Sequence, residues 1–208
     1  MTKPMSGRRA QAARNDQVIL DAAREVFIAN PAAPIAAVAE RAGVGISALY
    51  RRYPSKEELL RKLCADGLRT YIAVVEKALA DDSDPWTAFA DFMRGAVEAE
   101  TSSLTRALAG TFKPTEELYR DATRAAELNN ELMRRTKKAG VIRQDLEVPD
   151  LALIFEQLSA IKLGDAARSR ALRQRYLAIL LDSLREPPTH SPLPEPAPTP
   201  RELESRWG

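Results

Sequence analysis

The sequence predicts an all-α fold, and three observations carry that reading. Ala, Leu, Arg and Glu dominate, and only 9 glycines are spread over 208 residues. Apolar residues recur at three- and four-residue steps along most of the chain, the spacing of one helix face. Val, Ile and Thr form no alternating runs of the kind a half-buried strand needs.

A hydrophobic content of 45% with 29% charged residues fits a folded protein with a real core at this length. No stretch approaches 18 uncharged apolar residues, so no membrane span is expected. The opening MTKPMSGRRAQAARND lacks an apolar h-region and does not read as a signal peptide. A single cysteine, Cys64, excludes an internal disulfide framework and fits a cytoplasmic location. The net charge of +2 hides an asymmetry: residues 1–62 hold 11 Lys/Arg against 6 Asp/Glu, and residues 63–208 hold 20 against 23. The basic excess sits at the N-terminal end, as an electrostatic footprint for phosphate should.

Residues 1–14 read as a polar, basic arm. Lys3, Arg8, Arg9 and Arg14 are placed to reach phosphates or a minor groove. A solvated tail is the competing reading, and Arg14 is favoured because it adjoins a helix. Asn15 or Asp16 caps that helix, whose stripe is Ile19, Ala22, Ala23, Val26 and Phe27. Asn30-Pro31 ends it.

Residues 33–60 carry the most distinctive pattern. Pro34 suits the first turn of a helix, and Ile35, Val38, Ala39 and Ala42 follow at helical spacing. Gly43 can leave that helix with positive φ. Ile46 to Tyr53 is a second short helix, stopped by Pro54. Two helices joined by a short Gly-containing turn make a helix-turn-helix, whose second helix enters a DNA major groove. Val38, Val44 and Leu49 lock the pair, with small Ala39 at the crossing. The outer face of the second helix carries Gly45, Ile46, Ser47, Tyr50, Arg51 and Arg52, with no acid before Glu57. An ordinary helical hairpin, which would show mixed charge there, is the competing reading. On the DNA reading, Gly45, Ile46, Ser47 and Arg51 face base edges, and Arg51 suits guanine. Tyr50, Arg52 and Lys56 hold phosphates, Lys56 from a helix N-terminus that favours anions.

Ser55 opens a long helix reaching about Ala80, with Glu58 completing a capping box. Its stripe of Leu60, Cys64, Leu68, Tyr71, Val75 and Leu79 can touch two regions. Asp81 to Pro85 breaks the chain; Asp84 caps and Pro85 begins the next helix. Trp86, Phe89, Phe92, Met93, Ala96 and Val97 follow as an aromatic stripe, which is core more often than ligand box. A short helix is expected over Leu104–Ala109. Another runs from about Thr115 to Ala139, ended by Gly140. Val141 to Leu146 is extended. Val148-Pro149-Asp150 starts a helix with Leu151, Ile154, Phe155, Leu158 and Ile161. The last long helix spans about Asp165–Arg185.

Beyond Glu186, 22 residues hold 7 of the 14 prolines, so this tail reads as disordered or polyproline-like. A brief helical turn fits Arg201–Gly208. The only histidine, His190, lies in this tail, which removes His-based general-base catalysis and His-containing zinc sites. There is no Gly-rich phosphate loop. The chain is not read as an enzyme, and no cofactor or metal is expected.

Residues Arg14–Leu63 resemble the DNA-binding domain of the tetracycline-repressor (TetR) family. Val38-Ala39-Glu40-Arg41-Ala42-Gly43-Val44 stands where that family has I-A-x-x-A-G-V. Leu49-Tyr50-Arg51-Arg52-Tyr53 stands where it has L-Y-x-x-F, and Lys56-Glu57-Glu58-Leu59-Leu60 matches K-E-x-L-L. Three positions depart from the pattern: Ala33-Pro34 replaces a Ser/Thr cap, Ala48 a small hydroxyl residue, and Tyr53 the commoner Phe. The D-P-W-x-x-F start at Asp84, the loop at Ala139 and the R-x-L-x-x-R-Y-L ending from Arg170 resemble the C-terminal half of the same family.

The resemblance implies a sequence-specific transcriptional regulator, most often a repressor released by a small molecule. It implies a homodimer on a palindromic double-stranded DNA operator, with no membrane involved. The expected layout is an arm at 1–14, an N-terminal three-helix helix-turn-helix DNA-binding domain at 15–60, a C-terminal helical ligand-binding and dimerisation domain at 61–186, and a Pro-rich tail at 187–208. Leu158, Ile161, Leu172, Tyr176, Leu180 and Leu184 are the candidate dimer face on the last two long helices. Cys64, Leu68, Tyr71, Trp86, Phe89, Phe92, Met93, Phe112, Tyr119 and Phe155 are the candidate pocket, with Glu156 as a polar group. Such a lining favours a mainly apolar effector. An activator, a regulator that answers to a protein partner, and a helical adaptor without a DNA role are the alternatives.

Overall fold

The computed structural model describes residues 7–99, 111–186 and 191–204. Among these run nine helices and no extended strand: α1 (Gly7–Ala29), α2 (Ile35–Ala42), α3 (Ile46–Arg52), α4 (Lys56–Ala80), α5 (Pro85–Glu98), α6 (Glu116–Lys138), α7 (Val148–Ser159), α8 (Ala166–Leu184) and α9 (Pro200–Glu204). The helix expected over Leu104–Ala109 lies outside the described residues, as do residues 205–208 of the expected C-terminal turn. No helix among the described residues is long and apolar enough to cross a membrane.

α1 begins at Gly7 rather than at an Asn15 or Asp16 cap, so much of the expected arm is helical. Residues 8–14 are Arg, Ala and Gln, all strong helix formers, and nothing there stops the helix. Four later starts carry side-chain caps, Ser55 and Asp84 among them as expected; Pro34 is the extended N-cap of α2 rather than part of its first turn, and the reciprocal box falls on Glu147 and Asp150 at the start of α7. Ser55 Oγ accepts from Glu58 N, Asp84 from Thr87 N, Thr115 from Leu118 N and Asp165 from Arg168 N. Each such cap stabilises its helix by about 1 kcal/mol.

Two cores hold the helices. The first gathers Ala23 and Phe27 of α1, Val38 of α2, Leu49 of α3 and Leu59, Leu60 and Leu63 of α4. The second gathers Phe89, Phe92 and Met93 of α5 with Leu132 of α6, Phe155 of α7 and Leu177 and Leu181 of α8. α4 belongs to both, since its Val75 and Ala78 enter the second core. It passes position 60 without a break. α5 lies close on α4 because Gly95 has no side chain: a Cβ there would meet Val74 Cγ1 at 2.9 Å.

Val141–Leu146 is extended, as expected, and Ile142 pairs with Arg185 in an isolated antiparallel bridge. Arg143 forks onto Asp145 at 2.6 and 2.9 Å, which holds that carboxyl well below the usual carboxylate range. The same pair catches the tail. Arg143 donates to the Ser191 carbonyl at 2.9 Å, and Leu193 N donates to Asp145 at 3.0 Å. The described part of the tail is therefore attached to the body rather than wholly loose. Its brief helix, α9, opens on a reciprocal pair between Thr199 and Glu202.

Candidate nucleic-acid interface

α2 and α3 owe their geometry to the turn between them. Gly43 adopts φ 64°, ψ 30°, the left-handed conformation that ends α2. Val44 N then donates to the Ala39 carbonyl at 3.0 Å, closing the turn. Gly45 is extended at the head of α3, and its carbonyl takes Ala48 N and Leu49 N. Leu49 is fully buried between α2 and α1, while Val44 is half-buried.

Burying Leu49 fixes what α3 shows to solvent. Gly45, Ile46, Ser47, Tyr50 and Arg51 share one exposed face, with Ile46 41% and Tyr50 46% exposed. No acidic residue occurs between Glu40 and Glu57. Among the described residues Arg51 has no ion-pair partner, so its guanidinium is available. Arg14 is exposed on α1, within the helix rather than on a separate arm.

Two of the expected phosphate holders are engaged within the fold. Arg52 turns back to α1, where Nε and Nη2 grip the two oxygens of Asp16 at 2.7 and 2.8 Å. Tyr53 OH donates to the same carboxylate at 2.6 Å. The Arg52 hydrogen bond is the main reason that Asp16 is held below its ordinary pKa. Burial, then Asp16 itself, pushes the Tyr53 phenol up. Asp16 is thus a clasp between α1 and the end of α3, not the expected cap. Lys56 Nζ donates to the carbonyls of Pro31 and Ala33 at 2.9 and 2.8 Å and lies 5.1 Å over the Phe27 ring. Its ammonium holds the α1–α2 loop, because the start of α4 lies directly beneath that loop's free carbonyls.

The expected pocket residues divide. Tyr71, Trp86, Phe89, Phe92, Met93 and Phe155 come together in the second core. Tyr71, Phe92 and Phe155 meet edge to face, with centroids 5.9 to 6.5 Å apart. Tyr71 OH donates to Asn129 Oδ1 at 2.9 Å, the polar handle of this group. Leu68 and Glu156 are half-buried on α4 and α7. Phe112 and Cys64 pack instead against the first core; burial pushes the Cys64 thiol up to about 12. Tyr119 is 62% exposed on α6 and lines no core, since the inward stripe of that helix is Ala125, Leu128, Leu132 and Met133.

The expected dimer face divides as well. Leu158 and Leu184 are buried in the second core, and Leu172 is buried within the chain as well. Ile161 and Leu180 are half-buried against the second core. Tyr176 alone of the six is open, at 49% exposure. Ile179, one turn further along α8, is 54% exposed and lies outside the expected six, and Leu163 in the α7–α8 loop is 62% exposed.

The family model for bacterial regulatory proteins of the tetR family matches residues 19–63. The model for the C-terminal domain of SbtR-like transcriptional regulators matches residues 84–186. Among solved structures, the chain is similar to a TetR transcription regulatory protein from Mycobacterium vanbaalenii at 26% identity and TM-score 0.57, over 85% of this chain and 98% of that one. It shares its fold with the ketosteroid transcriptional regulator of Mycobacterium tuberculosis at 18% identity and TM-score 0.59, over 88% and 98% of the two chains. The same holds for LfrR from Mycobacterium smegmatis, solved in complex with proflavine, at 19% identity and TM-score 0.55, over 81% and 96%. No curated protein matches the chain.

The Asp16 clasp has a pH signature. A carboxyl held low in the folded state contributes stability above its ordinary pKa of about 4, and loses it as pH falls through the lower folded value. Asp16→Asn should cost about 1–2 kcal/mol in urea unfolding at pH 7. Below about pH 4 the wild type should lose stability more steeply than the variant; parallel curves would refute the clasp.

Proposed function

This chain belongs to the TetR family of bacterial regulatory proteins, as a DNA-binding transcriptional regulator and not an enzyme, and from its geometry we propose a homodimeric repressor that a small, mainly apolar ligand releases from its operator. The observation that carries this reading is the path of α4. Its first two turns share the first core with Leu49 of α3, and its middle supplies Tyr71 to the aromatic group of the second core. A molecule that entered among Tyr71, Phe92 and Phe155 would press on α4 and so shift α3. By linkage, ligand and DNA then oppose each other by the same factor whichever binds first.

On this reading, Gly45, Ile46, Ser47 and Arg51 meet base edges, with Arg51 on guanine, and Tyr50 meets phosphate. Arg52 and Lys56 support the reader from within. Two readers about 34 Å or a multiple apart would fit a palindromic site, which calls for a dimer. Tyr176 and Ile179, three residues apart on α8 and both exposed, supply a face for it; large apolar side chains grouped on a surface mark association sites.

Three measurements test the proposal. Arg51→Ala should weaken binding to a site selected from random DNA by about 1–3 kcal/mol and relax preference at one base pair per half-site. Unchanged selectivity would remove Arg51 from the groove. Ile179→Glu should give monomers in sedimentation, because pairing would bury an unpaired charge; a wild type that is itself monomeric at micromolar concentration defeats the dimer. Apolar compounds that change Trp86 fluorescence, in a Trp207→Phe background, should lower operator affinity in step. Binding near Trp86 with operator affinity untouched would break the coupling.

A further inference from the structure

A cleft between α1 and α4 shares no residue with the α3 face or with the aromatic group. It is an open cleft of about 410 Å3, and Gln17, Leu20 and Arg24 of α1 line it with Leu63, Asp66, Arg69 and Thr70 of α4. That volume falls within the range of small-molecule sites.

The charges around this cleft are unevenly matched. Asp66 takes Lys62 at 2.6 Å and Arg69 at 3.5 Å. Arg69 reaches on to Glu117 at 2.6 Å and Asp121 at 3.6 Å. Arg24 has no carboxylate partner among the described residues. Among the described residues its Nη1 touches only the Ala99 carbonyl, at a long 3.4 Å. Its Nε is enclosed and has no hydrogen-bond partner.

A guanidinium cannot shed its charge, and each of its N–H groups can only donate. An enclosed donor with nothing to donate to is unfavourable, and Arg24 is only half-buried, so a turn of its side chain toward the cleft it lines would present that donor to an acceptor there. Nε and a neighbouring Nη form a fork that matches two oxygens of a carboxylate or phosphate. Leu20, 8% exposed, adds an apolar wall that suits a short carbon chain.

We propose that this cleft binds a small oxyanion, a carboxylate or phosphate group on a short carbon chain, with Arg24 as the residue that grips it. The site is separate from any apolar ligand of the second core. It joins α1, which holds the DNA reader through Asp16, to α4, which leads away from it.

Titration calorimetry on the full chain in chloride-free buffer tests this with butyrate, hexanoate and inorganic phosphate as probes. At least one should bind the wild type, and Arg24→Met should weaken it by about 10-fold or more, the loss of one charge-assisted pair. Thr70→Trp narrows the cleft and leaves Arg24 in place; it should weaken the same probe, and it serves if Arg24→Met fails to fold. Arg51→Ala should bind the probes as the wild type does, which separates the cleft from the basic face of α3. Stronger carboxylates than phosphate assign a carboxylate headgroup, and the reverse assigns a phosphate. Absence of binding by all three probes, or binding that a folded Arg24→Met leaves unchanged, overturns the proposal; if Arg24→Met does not fold, binding that survives Thr70→Trp overturns it.

Discussion

One helix has to bury two faces at once, and the rest of the molecule follows from that demand. α4 is 25 residues long, so it spans roughly 37 Å. Near its start, Leu59, Leu60 and Leu63 are almost fully enclosed by α1, α2 and α3. Burial of one such leucine is worth about 1.5–3 kcal/mol, so this single turn fixes α4 firmly to the reader. Toward its other end, Val75 and Ala78 face α5. Neither core closes without α4, and the direction set at one end is imposed on the other. Lys56 strengthens the first anchorage by reaching the carbonyls of Pro31 and Ala33.

A second regularity concerns the helix ends. The last carbonyls of a helix lack internal donors and carry partial negative charge. Here cations from distant segments supply the donors. Lys162 reaches the Ile28 carbonyl near the end of α1 at 2.9 Å, and Arg24 reaches Ala99 after α5. Arg135 reaches Leu79 and Asp81 at the end of α4, at 2.6 and 2.7 Å. Each bond therefore ends a helix and joins two parts of the chain. Arginines spent in this way are unavailable to DNA, which sharpens the contrast between Arg51 and Arg52. Adjacent in sequence, they differ in partner: among the described residues only Arg52 finds a carboxylate.

Much of this was readable from the chain because the signals are local. Gly43, Pro54 and the spacing of Val38, Val44 and Leu49 all lie within a few residues of one another and define the reader together. The caps at Ser55 and Asp84, and the helix starts at Thr115 and Asp165, likewise depend only on neighbours. What escaped was set by pairs far apart in sequence. Asp16 looked like a cap because nothing nearby announces Arg52, 36 residues on. Lys56 looked available because loop carbonyls 23 and 25 residues away leave no mark on its surroundings in the sequence. Tyr119 was placed with the other aromatics by type, although helical phase puts it on the outer side of α6. Leu172 and Leu184 fit a helical stripe equally well whether that stripe faces α5 or a partner; only packing separates the two.

The attachment of the tail can be weighed as loop closure. Seen along the sequence, Arg143 and Ser191 are 48 residues apart, a long loop to close. The intervening chain is already closed, however, because Glu186 N donates to the Val141 carbonyl at 3.0 Å. Only residues 187–190 remain between two fixed points. The entropy of closure grows with the logarithm of the free length, so the cost that matters is that of this short span, two of whose residues are prolines already restricted in φ. A single arginine–aspartate fork is then enough to hold the segment. The point from which the last residues of the chain depart is consequently Leu193, beside the Val141–Leu146 loop, and not the end of α8.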